Sequence, residues 1–220
     1  MKKGAKPIIA FEGIDGSGKS TQIKLAKDYL QSKGIKVTSY REPGGTEIGE
    51  QIRAIILNSK KSGSIDAALF AAARAALIEE HVKPDIDSGK VVLLDRSYYS
   101  SLVYQSLHIS APDPIERVFD INRYILGDNF AYIPHFILYF DIDPSIAFER
   151  LKKDRQLTKF ETLEELKKVA GRYEEEIAFW AWRIYTDRPI EETAMEVRNT
   201  LDAILSELSL SREEEQQRRK

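Results

Sequence analysis

Residues 12–21 read Glu12-Gly13-Ile14-Asp15-Gly16-Ser17-Gly18-Lys19-Ser20-Thr21. Within them Gly13-x-x-x-x-Gly18-Lys19-Ser20 is the phosphate-cradling P-loop pattern. Before it, Pro7-Ile-Ile-Ala-Phe11 is an apolar run of strand type; after it, Ile23, Ala26 and Leu30 fall on one helical face. Strand, loop and helix in that order separate a P-loop from an accidental match. Gly13, Gly16 and Gly18 let the backbone curl until several N–H groups aim at one anion, with the positive end of the following helix behind them. Lys19 sets a point charge on the outer phosphates. The Ser20 hydroxyl is an oxygen ligand suited to Mg²⁺. Gly13, Asp15, Gly16, Ser17, Gly18, Lys19, Ser20 and Thr21 are therefore expected against the phosphates of a nucleoside triphosphate.

The remaining composition bounds the class. A chain of 220 residues, 42% apolar and 31% charged, suits one globular domain with a sizeable core. A net charge of -2 gives no global attraction to nucleic acid or anionic membrane, so neither is expected as a partner. No run approaches the roughly 18 apolar residues of a membrane span, and Met1-Lys-Lys-Gly4 leads into no signal-peptide core, so a cytoplasmic location is expected. With no Cys, thiolate nucleophiles and Cys-based metal sites are excluded.

Taken outward from the P-loop, Val37–Tyr40 reads as a second strand ending in the loop Arg41-Glu-Pro-Gly-Gly-Thr46. A helix follows with Ile48, Ile52, Ile55 and Ile56 as its apolar positions and Arg53 off that stripe. Residues 64–87 read as one helix whose last turn Pro84 should loosen. Val91-Val-Leu-Leu94 has the unbroken apolarity of a central parallel strand and delivers Asp95-Arg96 to its carboxyl end. Helices are expected over 98–107 and over 114–126, the second burying Val118, Ile121 and Ile125. A fourth strand spans 134–140, a helix opens at Asp143-Pro144, another covers 163–182, and a short fifth strand covers 183–186. A last helix presents Ile190, Ala194, Val197, Leu201, Ile204 and Leu208. Residues 1–210 thus form a single domain, with 211–220 a charged, frayed tail. Strands alternating with helices predict a parallel sheet covered on both faces.

Five segments in this order and spacing resemble the thymidylate kinase family: Phe11–Ser20, Arg41–Thr46, Leu69-Phe-Ala-Ala-Ala-Arg74, Asp95-Arg96 and Ser100-Ser-Leu-Val-Tyr-Gln105. The resemblance covers about residues 7–208. It implies an α/β P-loop fold with a five-stranded parallel sheet in the order 2-3-1-4-5, and transfer of the γ-phosphate of ATP to dTMP with Mg²⁺. It also implies a homodimer. By the same resemblance, Asp15 takes the acceptor's 3′-hydroxyl, Phe70 stacks on thymine while Arg74 donates to its edge, and Ser101 and Gln105 address that edge. Tyr104 stands beside the sugar, where it disfavours a ribose 2′-hydroxyl. Arg53 and Arg96 hold the acceptor phosphate, and Asp95 joins Ser20 near the metal through its water shell.

The family places a catalytic arginine either in the P-loop or in a lid. Here Gly16 occupies the P-loop position, and the basic run Arg150, Lys152, Lys153, Arg155 and Lys159 matches a lid at about residues 152–162. The catalytic set implied is Lys19, Arg96, Arg155 first and Lys159 second, since a guanidinium spreads transition-state charge better than an ammonium. Ser97 departs from the aromatic or His common after Asp-Arg. Asp-Arg-Ser is also similar to deoxynucleoside kinases, which leaves a broader-specificity deoxynucleotide or deoxynucleoside kinase as a second reading. A non-catalytic nucleotide-binding subunit is the third.

Overall fold

The computed structural model describes residues 7–58, 62–154 and 162–217. Its centre is a five-stranded, all-parallel sheet: β1 (Ile8–Glu12), β2 (Val37–Arg41), β3 (Val91–Asp95), β4 (Phe136–Asp141) and β5 (Trp182–Tyr185), in the order β2-β3-β1-β4-β5. This is the expected order. The helices are α1 (Lys19–Ser32), α2 (Glu47–Asn58), α3 (Gly63–Leu77), α4 (Lys83–Asp87), α5 (Tyr98–Tyr104), α6 (Pro114–Leu126), α7 (Pro144–Asp154), α8 (Leu163–Glu176) and α9 (Ile190–Gln217).

Period-two alternation on β1 divides the core. Ile9 and Phe11 face α1 and α9, packing with Ile23, Ala26, Leu30, Val197, Leu201 and Ile204. Ile8 and Ala10 face the other layer, where Leu77, Val82, Tyr98, Val103, Val118 and Tyr173 lie. Burying one such Leu or Ile side chain is worth about 1.5–3 kcal/mol, so the two layers are what hold β1 in place. In the register, Phe11 lies opposite Asp95 and the Arg96 amide donates to the Phe11 carbonyl at 3.1 Å. The P-loop after β1 and Asp95-Arg96 after β3 therefore emerge side by side at the carboxyl edge of the sheet, where α/β folds bind ligands.

Several local expectations are corrected. The helix expected over 64–87 is α3, a π-helical turn at Ile78–Val82, and α4. Pro84 sits in the first turn of α4, so the missing N–H and ring crowding coincide with the widened turn before it. The helix expected to reach residue 182 ends at Glu176. There the Trp180 indole donates to the Glu176 carbonyl at 2.9 Å while its ring packs edge-on against Tyr99, and Trp182 begins β5 instead. Of the four apolar positions expected on α2 only Ile52 is buried, and Ile48 and Ile55 are half exposed; on α6 Val118 is buried and Ile125 is not. The last helix continues to Gln217, into the segment expected as a frayed tail.

Candidate active site

Backbone sterics build the P-loop first. A Cβ on Gly13 would lie 2.6 Å from the Phe140 carbonyl oxygen, and one on Gly16 2.5 Å from the Ala147 carbonyl oxygen of α7, with φ +81° at Gly16. No side chain fits at Gly16 on this backbone, so the loop itself cannot carry an arginine there. Lys19, 6% exposed, donates to the carbonyls of Gly13 (3.0 Å) and Ile14 (2.7 Å) and to Ser17 Oγ (3.2 Å). Burial, then the nearby Arg96 charge, bring its pKa down to about 8. Ser20 Oγ, at the start of α1, donates to Asp95 Oδ2 at 2.5 Å.

Arg96 occupies a left-handed backbone conformation (φ 66°), which turns its side chain back over the P-loop. Its Nη2 donates to Asp15 Oδ1 at 2.6 Å, and Nη1 to the Gly13 carbonyl at 3.0 Å and Ser100 Oγ at 3.2 Å. The guanidinium lies 4.8 Å from the centre of the Tyr104 ring. Burial works against its charge, but Tyr104, Asp15, Tyr173 and Glu12 outweigh that and hold its pKa well above the ordinary arginine value.

A second cluster lies across the cleft. Arg74, 2% exposed on α3, donates from Nε to Glu42 Oε2 at 2.7 Å, from Nη2 to Ser101 Oγ at 3.0 Å, and from Nη1 to Asn122 Oδ1. Glu42 is buried with it; desolvation raises its pKa against the pull of Arg74. Phe70, one turn before Arg74, is half buried and lines the same cavity. So does Gln105, whose buried Oε1 has no hydrogen-bond partner among the described residues. Arg53 reaches in from α2, its Nη1 donating to the Pro43 carbonyl at 3.4 Å.

These groups share one cleft of about 1260 Å³. It runs from Phe70 and Arg74, past Arg96, Asp15 and the P-loop, to Gln22, Arg150, Arg188 and Ile190 on the far side of α1. Every described residue expected at the site except Gly13, whose carbonyl Lys19 and Arg96 hold, lines this cavity. Arg155 and Lys159 lie outside the described residues. Lys152 and Lys153 belong to α7, and Thr162 caps α8 by accepting from the Glu165 amide.

A family model described as thymidylate kinase matches residues 11–197. The chain belongs to the thymidylate kinase family. It is 36% identical over 212 residues to a thymidylate kinase of Geobacillus sp. (strain WCH70), covering 90% of this chain and 97% of that one. It is 36% identical over 219 residues to the thymidylate kinase of Geobacillus thermodenitrificans (strain NG80-2), covering 93% and 92%. To the thymidylate kinase of Thermosipho africanus (strain TCF52B) it is 45% identical over 156 residues, covering 70% and 75%.

Sequence reasoning missed four groups that hold family-matched residues in place: Glu12, Glu42, Asn122 and Tyr173. Glu12 left a trace, as a carboxylate ending an apolar strand. Asn122 in mid-helix and Tyr173 in α8 left none, because their partners are 48 and 77 residues away in the chain.

Proposed function

We infer that this chain is a thymidylate kinase that transfers the γ-phosphate of ATP to dTMP, giving ADP and dTDP. The observation that carries the reading is a single cleft with a P-loop in its middle and a built base pocket at one end. In that pocket Phe70 offers a stacking face, Arg74 a fixed guanidinium, and Ser101 and Gln105 polar edges for thymine. The far end, lined by Gln22, Arg150, Arg188 and Ile190, is left for the donor's base.

The reaction needs no general base. A phosphate monoester has a second pKa of about 6, so dTMP presents an oxyanion at neutral pH. That oxygen attacks the γ-phosphorus in line, and the bond to the β,γ-bridging oxygen breaks. The obstacle is repulsion between two anions, and the protein's task is charge neutralisation and positioning. Lys19 exchanges its own loop's carbonyls for the outer phosphates. Arg96 and Arg53 hold the acceptor phosphate, Asp15 the 3′-hydroxyl, and the Tyr104 ring closes the space a ribose 2′-hydroxyl would need.

Ser20 Oγ and Asp95, already in contact, suit Mg²⁺, Asp95 through water. Among the described residues no cluster of three metal-ligating side chains exists. When bound, the ion supplies charge neutralisation at the donor phosphates. Because Gly16 cannot carry an arginine, the remaining cation is assigned to Arg155, with Lys159 second. Exposed Ile48 on α2 and Tyr124 and Ile125 on α6 support a homodimer through that layer. Among the described residues no helix is long and apolar enough to cross a membrane.

Ser97 does not favour the broader-specificity reading. It is fully buried; its hydroxyl donates to Glu12 at 2.6 Å and accepts from the Tyr99 amide, so it is engaged inside the protein. ADP release measured with dTMP, dUMP, dCMP and thymidine tests the reading. dTMP is expected to be the best acceptor and thymidine inactive. Thymidine turnover comparable to that of dTMP overturns it.

A further inference from the structure

Behind Arg96 lies a fully buried carboxylate that the reaction does not use. Glu12, the last residue of β1, is 0% exposed. Its Oε1 accepts from Ser97 Oγ at 2.6 Å and the Ser100 amide at 3.3 Å; its Oε2 accepts from Ser100 Oγ at 2.5 Å and Tyr173 OH at 2.8 Å. Four donors from β3's exit, α5 and α8 thus converge on one anion with no cation bonded to it among them. Two of those donors, Ser100 Oγ and Tyr173 OH, also face Arg96 Nη1, at 3.2 and 3.4 Å, and lie 2.9 Å from each other.

The geometry sets the direction of each hydroxyl. A carboxylate only accepts, and Arg96 only donates. With the Ser100 and Tyr173 protons drawn to Glu12, both hydroxyl lone pairs are left toward the guanidinium. The buried charge polarises that short chain of hydrogen bonds and offers Arg96 two acceptors on the side away from the cleft. Asp15 and the Gly13 carbonyl complete the set. Tyr173 is 0% exposed and stacks on Tyr139 at 5.4 Å, so its ring is fixed independently of its hydroxyl.

We propose that Tyr173, with Glu12 behind it, is a positioning residue that holds Arg96 in the orientation needed by the acceptor phosphate. The proposal rests on the reading of Arg96 as the acceptor-phosphate clamp. It assigns α8, which follows the basic run Arg150–Lys159 in the chain, a role inside the catalytic centre through a single hydroxyl.

The test uses the full-length protein with Tyr173→Phe, which keeps the ring on Tyr139 and deletes only the hydroxyl. Calorimetric affinities for dTMP and for thymidine, the same ligand without the phosphate, are compared in this variant and in Arg96→Ala. Tyr173→Phe is expected to weaken dTMP about tenfold, as for one lost hydrogen bond to a charged group, with thymidine changed less than about twofold. The KM for ATP should stay near that of the unaltered protein. Equal changes for dTMP and thymidine, or none, while Arg96→Ala loses dTMP selectively, would overturn the role of Tyr173. If Arg96→Ala itself fails to separate the two ligands, the clamp reading has failed instead. Glu12→Gln supplies a second probe, since its amide turns a donor toward the hydroxyls. It should lower dTMP affinity at least as far as Tyr173→Phe, and if it does not fold, Tyr173→Phe alone decides.

Discussion

The two ends of the cleft keep their cations in opposite ways. At the end proposed for the base, Arg74 is locked: Glu42, Asn122 and Ser101 engage its three nitrogens in a buried pocket. At the phosphate end, Lys19 is parked on the carbonyls of its own loop, and Ser20 has turned its proton to Asp95. A base is neutral and flat, so recognition is served by rigid donors fixed in advance. Phosphates bring charge, and buried cations with temporary partners can exchange them for phosphate oxygens without meeting an empty, desolvated state. The end proposed for the base is therefore part of the fold, while at Lys19 and Ser20 the end proposed for the phosphates keeps hydrogen bonds that can be exchanged, beside an Arg96 fixed by Asp15, Ser100 and Tyr173.

That contrast breaks most visibly at Arg74. Arg74→Ala leaves the Glu42 carboxylate buried without its partner, a loss of roughly 3–5 kcal/mol of stability for a buried pair with one member removed. The melting temperature should fall sharply, and Glu42→Gln in the same chain should recover part of it. In protein that remains folded, dTMP binding should weaken tenfold or more while ATP affinity stays within a few fold. Unchanged stability and dTMP affinity would remove Arg74 from both the fold and the pocket.

The next effect belongs to the end proposed for the phosphates, where the proposed mechanism brings in a further cation. Arg155→Ala is expected to lower kcat on the order of a hundredfold with modest KM changes, as for loss of a preorganised electrostatic donor. Lys159→Ala should cost less; single mutants compared at saturating ATP and dTMP rank the two. Near-normal kcat in both would return the missing charge to Arg53 and Arg96.

Asp15 lies between the two regimes. Asp15→Asn should impair dTMP about tenfold and its 3′-deoxy analogue less, because only dTMP loses a charge-assisted hydrogen bond. The residual loss shared by both ligands measures the Asp15–Arg96 contact at 2.6 Å. Equal losses on both ligands would leave Asp15 as the partner of Arg96 alone.

The smallest effect is a fraction of a proton. Lys19 has a folded pKa of about 8 against an ordinary 10.5. The unfolded chain therefore binds this proton more tightly, so its contribution makes stability rise with pH from about 8 toward the ordinary lysine value. A bound triphosphate favours the charged form, so ATP binding should take up protons above about pH 8 and none near pH 6. Calorimetry in buffers of different ionisation enthalpy reads that uptake. Its absence at pH 9 would mean that Lys19 keeps its proton without a ligand.

How much of this was readable beforehand follows the range of the interactions. The strand–loop–helix at residues 7–30 and the Asp95-Arg96 exit were legible because local pattern decides them, whereas the sheet order came from the family resemblance. The boundary at Glu176 was not, since Trp180 ends the helix by packing on Tyr99, far off in the chain. Nor was the exposure of Ile48 and Ile55, because helical periodicity marks an apolar stripe without saying what covers it.

The sequence by itself determined which side chains carry charge and where the chain must curl: glycines at 13, 16 and 18, a lysine and serine after them, arginines at 74 and 96. These follow from residue type and short spacing, which folding does not alter. Only the tertiary structure decided what those charges rest on. Glu42 and Asn122 reach Arg74, and Tyr173 and Glu12 reach Arg96, across separations of up to 84 residues. Desolvation and hydrogen bonding act through space, so the partner of a buried charge is set by which elements the core brings together.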